Sequence, residues 1–304
     1  MYRLLCLFCL CGLFFGSARA CDMSTENRPQ TLVAYVKNGI ACLETPGQGF
    51  WFSTEMEQAF VDRINQERSS RGLGPLAIRE NLQAAARFHS LDMGINGFFG
   101  HKTPNGKRHP ARISAFDRTL LPQSTAENVA KLELSCQNWQ GEAMSCHDMP
   151  DQGADMMAGT VESLHQQLMN SPGHRENILA PETTHIALGV ARQDHAVYVT
   201  QLFTNPIGVL DQPLPLTLQA GSRFEVSAQM PDWRFKRFAV MEENFPKDVV
   251  DGRLPVTARG DLILSVRGER RAQVETTGQE TVETYELIYL AGPSFTAIAA
   301  SGSS

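Results

Sequence analysis

Hydrophobic and polar positions divide the chain into stretches with three rhythms. The first is unbroken: Leu4 to Phe15 reads LLCLFCLCGLFF, without a charge. The second is helical. Met56, Phe60 and Ile64 recur at i, i+4 and i+8 while Asp62, Gln66 and Glu67 face away. This predicts a helix from about Ser53-Thr54, capped by a Thr54/Glu57 capping box and ended by Gly72 and Gly74-Pro75. Leu82, Ala85, Ala86 and Met93 predict a second helix from Glu80 to Asn96, stopped by Gly97. Pro110 opens a short helix to Arg118, and a third long helix fits Asp155 to Asn170, terminated by Pro172-Gly173. The third rhythm alternates. Thr31–Lys37 (TLVAYVK), Asn38-Gly39 and Ile40–Leu43 read as a hairpin, as do His185–Gln193 and Ala196–Thr204 joined by Asp194-His195.

Helical periodicity stops near Asn205-Pro206, and Pro213 and Pro215 mark a linker over 206–220. Beyond it, Arg223–Ala228, Phe235–Met241, Asp261–Arg267 and Thr284–Leu290 are strand-rich. They predict a small antiparallel β domain over 221–293, followed by a flexible polar tail at 294–304. A hairpin and linker at 21–52 would precede the helical region at 53–205.

The apolar start bears on where the protein works. Arg3 precedes it, and Ala18-Arg19-Ala20 forms an A-x-A cleavage site, so residues 1–20 read as a secretory signal peptide. The run falls short of the roughly 20 apolar residues that span a bilayer. An uncleaved anchor is the alternative, as is a lipid-bearing Cys21, against which Arg19 is a poor neighbour. No second long apolar run follows, so no transmembrane segment is expected in the mature chain. The net charge is −6, from 27 basic and 33 acidic residues, and neither sign forms a block or stripe. Nucleic acid is therefore not the expected partner. Removing the signal takes Cys6, Cys9 and Cys11 with it and leaves Cys21, Cys42, Cys136 and Cys146. An even set in an exported chain points to disulfides, and proximity favours Cys21–Cys42 and Cys136–Cys146 among the possible pairings. Cys146-His147 admits a zinc reading, but no C-x-x-C pair supports it.

The familiar chemical signatures are missing. No G-x-S-x-G, H-E-x-x-H, P-loop or G-x-G-x-x-G stands in a suitable context, so no nucleotide cofactor is expected. His165 and His174 are nine apart, which does not place them on one helix face. His89 reads as a core or rim histidine within the second helix. Asn128 and Asn177 read as ties to backbone groups, and Arg68 and Arg175 as loop holders.

A series of phrases does carry information. In order they are Asn65-Gln66-Glu67-Arg68, Gly72–Leu76, His89–Met93, Phe99-Gly100-His101, Ala126-Glu127-Asn128-Val129-Ala130, Ser171-Pro172-Gly173-His174-Arg175-Glu176-Asn177-Ile178-Leu179, and Tyr198–Phe203. The series resembles the CAP superfamily, or SCP domain: cysteine-rich secretory, antigen 5 and pathogenesis-related proteins. The phrase around His174 is most similar to the bacterial branch. The resemblance spans about residues 54–205 and implies an α+β fold: an α-β-α sandwich, here followed by the small all-β domain.

By position, the resemblance implies a cleft formed by His101, Glu127 and His174, with Ser171 beside it. A second acid found in many animal and plant members has no counterpart, since Asn170-Ser171 occupy that place and neither Glu162 nor Glu176 is forced into the role. Imidazoles with a carboxylate suit zinc or another divalent cation, so His101, His174 and Glu127 are the candidate metal ligands. A hydrogen-bonded polar cluster that only shapes the cleft is the other reading. No catalytic residue is assigned. The implied function is a periplasmic or secreted module binding a lipid, peptide or cell-envelope ligand. The alternative is a metal-assisted, peptidase-like hydrolase of extracytoplasmic peptide or envelope polymer.

Overall fold

The computed structural model describes residues 21, 23, 31–47, 49–137, 140–146, 153–242, 245–249, 252–277 and 280–299. The expected signal peptide and His147 lie outside the described residues. The elements run α1 (Leu32–Glu44), β1 (Trp51–Phe52), α2 (Thr54–Ser69), β2 (Ala77–Ile78), α3 (Glu80–Ile95), α4 (His109–Phe116), β3 (Leu120–Glu133), α5 (Gly153–Asn170) and α6 (Pro172–Leu179). After these come β4 (His185–Gln193), β5 (Ala196–Leu210), β6 (Thr217–Gln219), β7 (Ala228–Gln229), β8 (Arg234–Glu242), β9 (Phe245–Asp248), β10 (Gly260–Thr277) and β11 (Glu280–Ile298).

The first sheet has the order β1-β4-β5-β3, with β2 parallel to β4 and β7 paired to the end of β5. Strand alternation sorts its side chains into two cores. On one face Ile186, Leu188 and Val190 pack with Met56, Phe60 and Ile64 of α2, Leu164 and Leu168 of α5, and Ile178 of α6. On the other, Ala187, Ala191 and Leu202 meet Leu82, Ala85 and Ala86 of α3, Ile113 and Phe116 of α4, and Tyr35 and Val36 of α1. The α3 side carries small residues because the helix backbone lies close. A Cβ on Gly189 would come within 2.2 Å of the Ala86 carbonyl carbon. Glu57 fastens the layers: its carboxylate accepts from Arg87 at 2.6 and 2.8 Å and from the Val190 amide at 3.2 Å. The α-β-α sandwich is therefore present.

Several local expectations change. Residues 32–44 form a helix, not a hairpin. The Asn38-Gly39 turn signal loses to packing, because the Phe116 ring would stand 2.4 Å from a Cβ at position 39 and only glycine fits. Leu32, Tyr35, Val36, Gly39 and Cys42 are the buried stripe of that helix. The N-cap of α2 is Ser53, whose Oγ accepts from the Met56 amide at 3.4 Å, so the Thr54/Glu57 capping box does not form. Pro172-Gly173 does not merely end α5; Pro172 sits in the first turn of α6, where its missing N–H costs nothing. Both favoured disulfides form, Cys21–Cys42 and Cys136–Cys146.

The C-terminal strands make a second sheet, β6-β11-β10-β8-β9, over a core that includes Val240, Leu264, Val266, Leu290 and Phe295. The expected linker at 206–220 is built into the fold. The strand β5 continues to Leu210 and receives β7, while β6 pairs in parallel with Thr296–Ile298 of β11. Arg118 donates to the Leu214 carbonyl at 2.9 Å and the Pro215 carbonyl at 3.1 Å. Nor does a tail begin at 294: β11 runs to Ile298, and Phe295 and Ala297 are buried. Within Arg223–Ala228 only Ala228 enters a named strand. Leu121 and Leu210 of the first sheet belong to the second core, so the two halves share a hydrophobic seam.

Candidate functional site

The site lies where β3, the edge strand of the first sheet, passes between the two helical layers. The α4 side supplies one wall, α6 the other, and the loop after α3 closes over them.

Glu127 projects from β3 and is buried. Its Oε1 lies 3.0 Å from His101 Nδ1, and its Oε2 accepts from Arg112 of α4. Arg112 is itself fully buried, and its Nη1 also donates to the carbonyls of His101 at 3.2 Å and Lys107 at 3.0 Å. One guanidinium thus fixes the carboxylate and the loop carrying the histidine. Burial alone would raise the Glu127 pKa. The His101 hydrogen bond and the Arg112 charge outweigh it and hold the carboxyl below its ordinary value.

His174 occupies the first turn of α6, where burial, followed by the neighbouring His101, lowers its pKa. The His101 and His174 rings stand 6.1 Å apart between centroids, tilted by 55°. A network under α6 sets their spacing. Asn128 Nδ2 donates to the His174 carbonyl at 3.1 Å and to Gln201 Oε1 at 3.1 Å. Asn177 Nδ2 donates to the Glu127 carbonyl at 3.3 Å and to Asn128 Oδ1 at 2.9 Å. Both asparagines therefore tie backbone, as expected. Arg175 holds the Met169 carbonyl, and Arg68 the carbonyls of Gly74, Ile178, Ala180 and Thr183.

His101, Glu127 and His174 lie together, with Glu127 on His101 Nδ1 and the His174 ring beside that of His101. Ser171 is the N-cap residue of α6, three positions before His174, and its side chain makes no cap hydrogen bond. Glu162 is bound to Arg63 at 2.7 Å, and Glu176 is exposed. His89 is buried with Nε2 3.0 Å from the Gly100 carbonyl, and burial, with Arg112 next in weight, pushes its pKa down to about 3.

The donor set fits a cation as a histidine pair, not as the expected three-ligand cluster. Both Glu127 oxygens are engaged, so that carboxylate orients His101 and does not stand free as a third ligand. Among the described residues, no group of three His, Cys, Asp or Glu side chains is arranged to hold a metal. Arg112 is the principal residue that sequence reasoning missed. The signal was its place on the buried stripe of a short helix, with Ile113, Ala115 and Phe116. A cavity of about 530 Å³ lies away from the histidines, between Ile113 of α4, Pro122 and Thr125 of β3, and Ile263, Tyr289 and Ala291 of the second sheet.

The model of the cysteine-rich secretory protein (CAP) family matches residues 61–203. Those residues form a CAP domain. The match contains His101, Glu127 and His174 with Arg112, Asn128 and Asn177, and excludes the second sheet. The uncharacterized protein YkwD of Bacillus subtilis (strain 168) is 32% identical over 133 residues, 44% of this chain and 41% of that protein. The chain thus spans about two fifths of that relative's length. Among solved structures, an outer surface protein of Borrelia burgdorferi aligns over 50% of this chain and 94% of its own, at 17% identity and TM-score 0.38. An extracellular protein containing an SCP domain, from Bacillus anthracis str. Ames, aligns over 50% of this chain and 40% of its own, at 25% identity and TM-score 0.36. Among the described residues no helix is long and apolar enough to cross a membrane.

Proposed function

We propose that the protein is an exported binding module whose CAP-domain cleft takes a divalent cation, zinc foremost, between His101 and His174. A lipid, peptide or envelope component would be presented to that cation. The observation that carries the reading is the pairing of the two rings, with Glu127 on His101 Nδ1 and Arg112 behind it. This is the carboxylate–histidine arrangement that fixes an imidazole tautomer for a metal. Bound there, a cation would supply a Lewis-acidic anchor for an oxygen ligand. The residues of the chain do the rest: Glu127 orients His101, while Asn128 and Asn177 fix the first turn of α6.

Export rests on the apolar N-terminal run and on the two disulfides, which persist in oxidising compartments.

Zinc uptake by the purified chain at pH 7.5, measured by mass spectrometry of bound metal, tests the site. One zinc per chain is expected in the parent and none in His101→Ala or His174→Ala, with circular dichroism unchanged. No zinc in the parent would sink the metal reading. Zinc-dependent cleavage of a peptide or envelope polymer, lost in His174→Ala, would replace the binding module with a hydrolase. Occupancy should fall on acidification, because only neutral imidazole binds metal, and the lowered pKa of His174 moves its share of that loss below the ordinary imidazole value.

A further inference from the structure

The second sheet fills only one of its faces. Leu262, Leu264 and Val266 of β10 point into the core with Leu290 and Phe295. The alternate positions point outward, where Ile263, Tyr285, Leu287 and Tyr289 are 37, 45, 45 and 60% exposed. At one end α4 and β3 cover this face and leave the cavity that Tyr289 and Ile263 line. Past Tyr289 the outer face is open.

Between Ser265 and Arg271 the register of β10 with β11 is unbroken. Arg267 stands opposite Tyr289 and Arg271 opposite Tyr285, so two Tyr–Arg units repeat four residues apart. At about 3.3 Å per residue they are roughly 13 Å apart along the strand. The Arg267 guanidinium lies 5.6 Å from the Tyr289 ring centroid. From β8, Arg237 pairs with Arg267 in register, and Arg234 with Glu269. Arg234 and Lys236 both hold Glu269, while Arg271 and the Tyr285 hydroxyl hold Glu283. Among the described residues, the open face thus sets Arg234, Lys236, Arg237, Arg267 and Arg271 against Glu269 and Glu283, in a chain of net charge −6.

We propose that this face binds an anionic polysaccharide laid along β11, with sugar rings over Tyr289 and Tyr285 and acid groups on Arg267, Arg237 and Arg271. Sugar rings present C–H-rich faces that stack on exposed aromatic side chains. Guanidinium groups beside those rings give charge-assisted hydrogen bonds to carboxylates, sulfates or phosphates. The two-unit repeat suits a polymer with a repeating anion. None of these residues lies within 61–203, so the site does not depend on the histidine cleft or its metal.

The probe is a ladder of end-labelled oligogalacturonates, from one to ten units, titrated into the full mature protein at low salt and followed by fluorescence anisotropy. The single unit should not bind measurably. Affinity should rise once the chain bridges both Tyr–Arg units, and should fall with added salt. Arg237→Gln with Arg267→Gln should weaken binding roughly tenfold or more, and Tyr289→Ala several-fold, since Tyr and Arg carry most energy in such contacts. Arg271→Gln, on the exposed part of the ribbon, should weaken it less, and His174→Ala should leave it unchanged. The proposal is overturned by no binding at any length, or by equal binding in the Arg267→Gln and Tyr289→Ala variants. Capture of phosphatidylglycerol vesicles or single-stranded oligothymidylate without oligogalacturonate would overturn it too.

Discussion

The two halves of this molecule use charge in opposite ways. In the CAP domain Arg68, Arg112, Glu57 and Glu127 are buried, and each is held by named partners, although the Arg112 Nε itself finds none. There the charge holds loops and strands at fixed distances. On the second sheet, Arg234, Arg237 and Arg271 are exposed, and among the described charged groups of that face only Glu269 is buried. The same residue types fix backbone and strands when desolvated and form solvent-facing ion pairs when exposed. The cost of removing one should therefore differ between the halves by a large factor.

The sharpest way to break that contrast is Arg112→Met. It strands Glu127 as a buried carboxylate with one partner fewer, and should cost about 3–5 kcal/mol in urea unfolding. A loss below about 1 kcal/mol would show that the buried cluster does not organise the fold. Next is Gly189→Ala, which drives a Cβ into the α3 backbone and should cost about 1–3 kcal/mol as overpacking. Opening the Cys136–Cys146 bridge by a double Cys→Ser change should lower stability by about 2–3 kcal/mol, read from the shift in urea midpoint. The smallest effect should come from Arg271→Gln on the ribbon, within about 0.5 kcal/mol.

Acid should favour local opening within the CAP half before the two halves unfold together. His89 is held to about 3 by burial against 6.5 when unfolded, and burial also lowers His165. A histidine kept neutral in the fold binds fewer protons than its unfolded counterpart below pH 6.5. Its contribution to stability is thus intact above 6.5 and lost as pH falls from there toward the folded value. The lowered Glu127 adds a loss in the same direction, below its ordinary 4.5. Hydrogen exchange across a pH series should show the CAP helices loosening before β10 and β11. The reverse order would refute this assignment.

The helices around the sheet were legible because each carries an apolar stripe at helical spacing, as Met56, Phe60 and Ile64 do. His101, Glu127 and His174 were legible through the phrases around them. The region at 32–44 was misread because Asn38-Gly39 is a strong local turn signal, and nothing local says that a distant Phe116 needs that glycine. Arg112 escaped for a related reason: its value lies in a carboxylate fifteen positions away, reached only after α4 packs on β3. The seam at 206–220 was obscured by its prolines, which read as a linker although β6, β7 and Arg118 tie the segment into the fold.

One strand has a consequence for how the protein can come apart. Ala196 to Leu202 of β5 lies in the middle of the CAP sheet, while Val209 and Leu210 pair with β7, and Leu210 joins Leu121 in the second core. A cut after residue 205 would bare Leu121 as well as remove Leu210. The halves therefore share a fate: heat should melt them in one calorimetric peak, and protease nicking within 206–220 should shorten the lifetime of both fragments rather than release two durable ones.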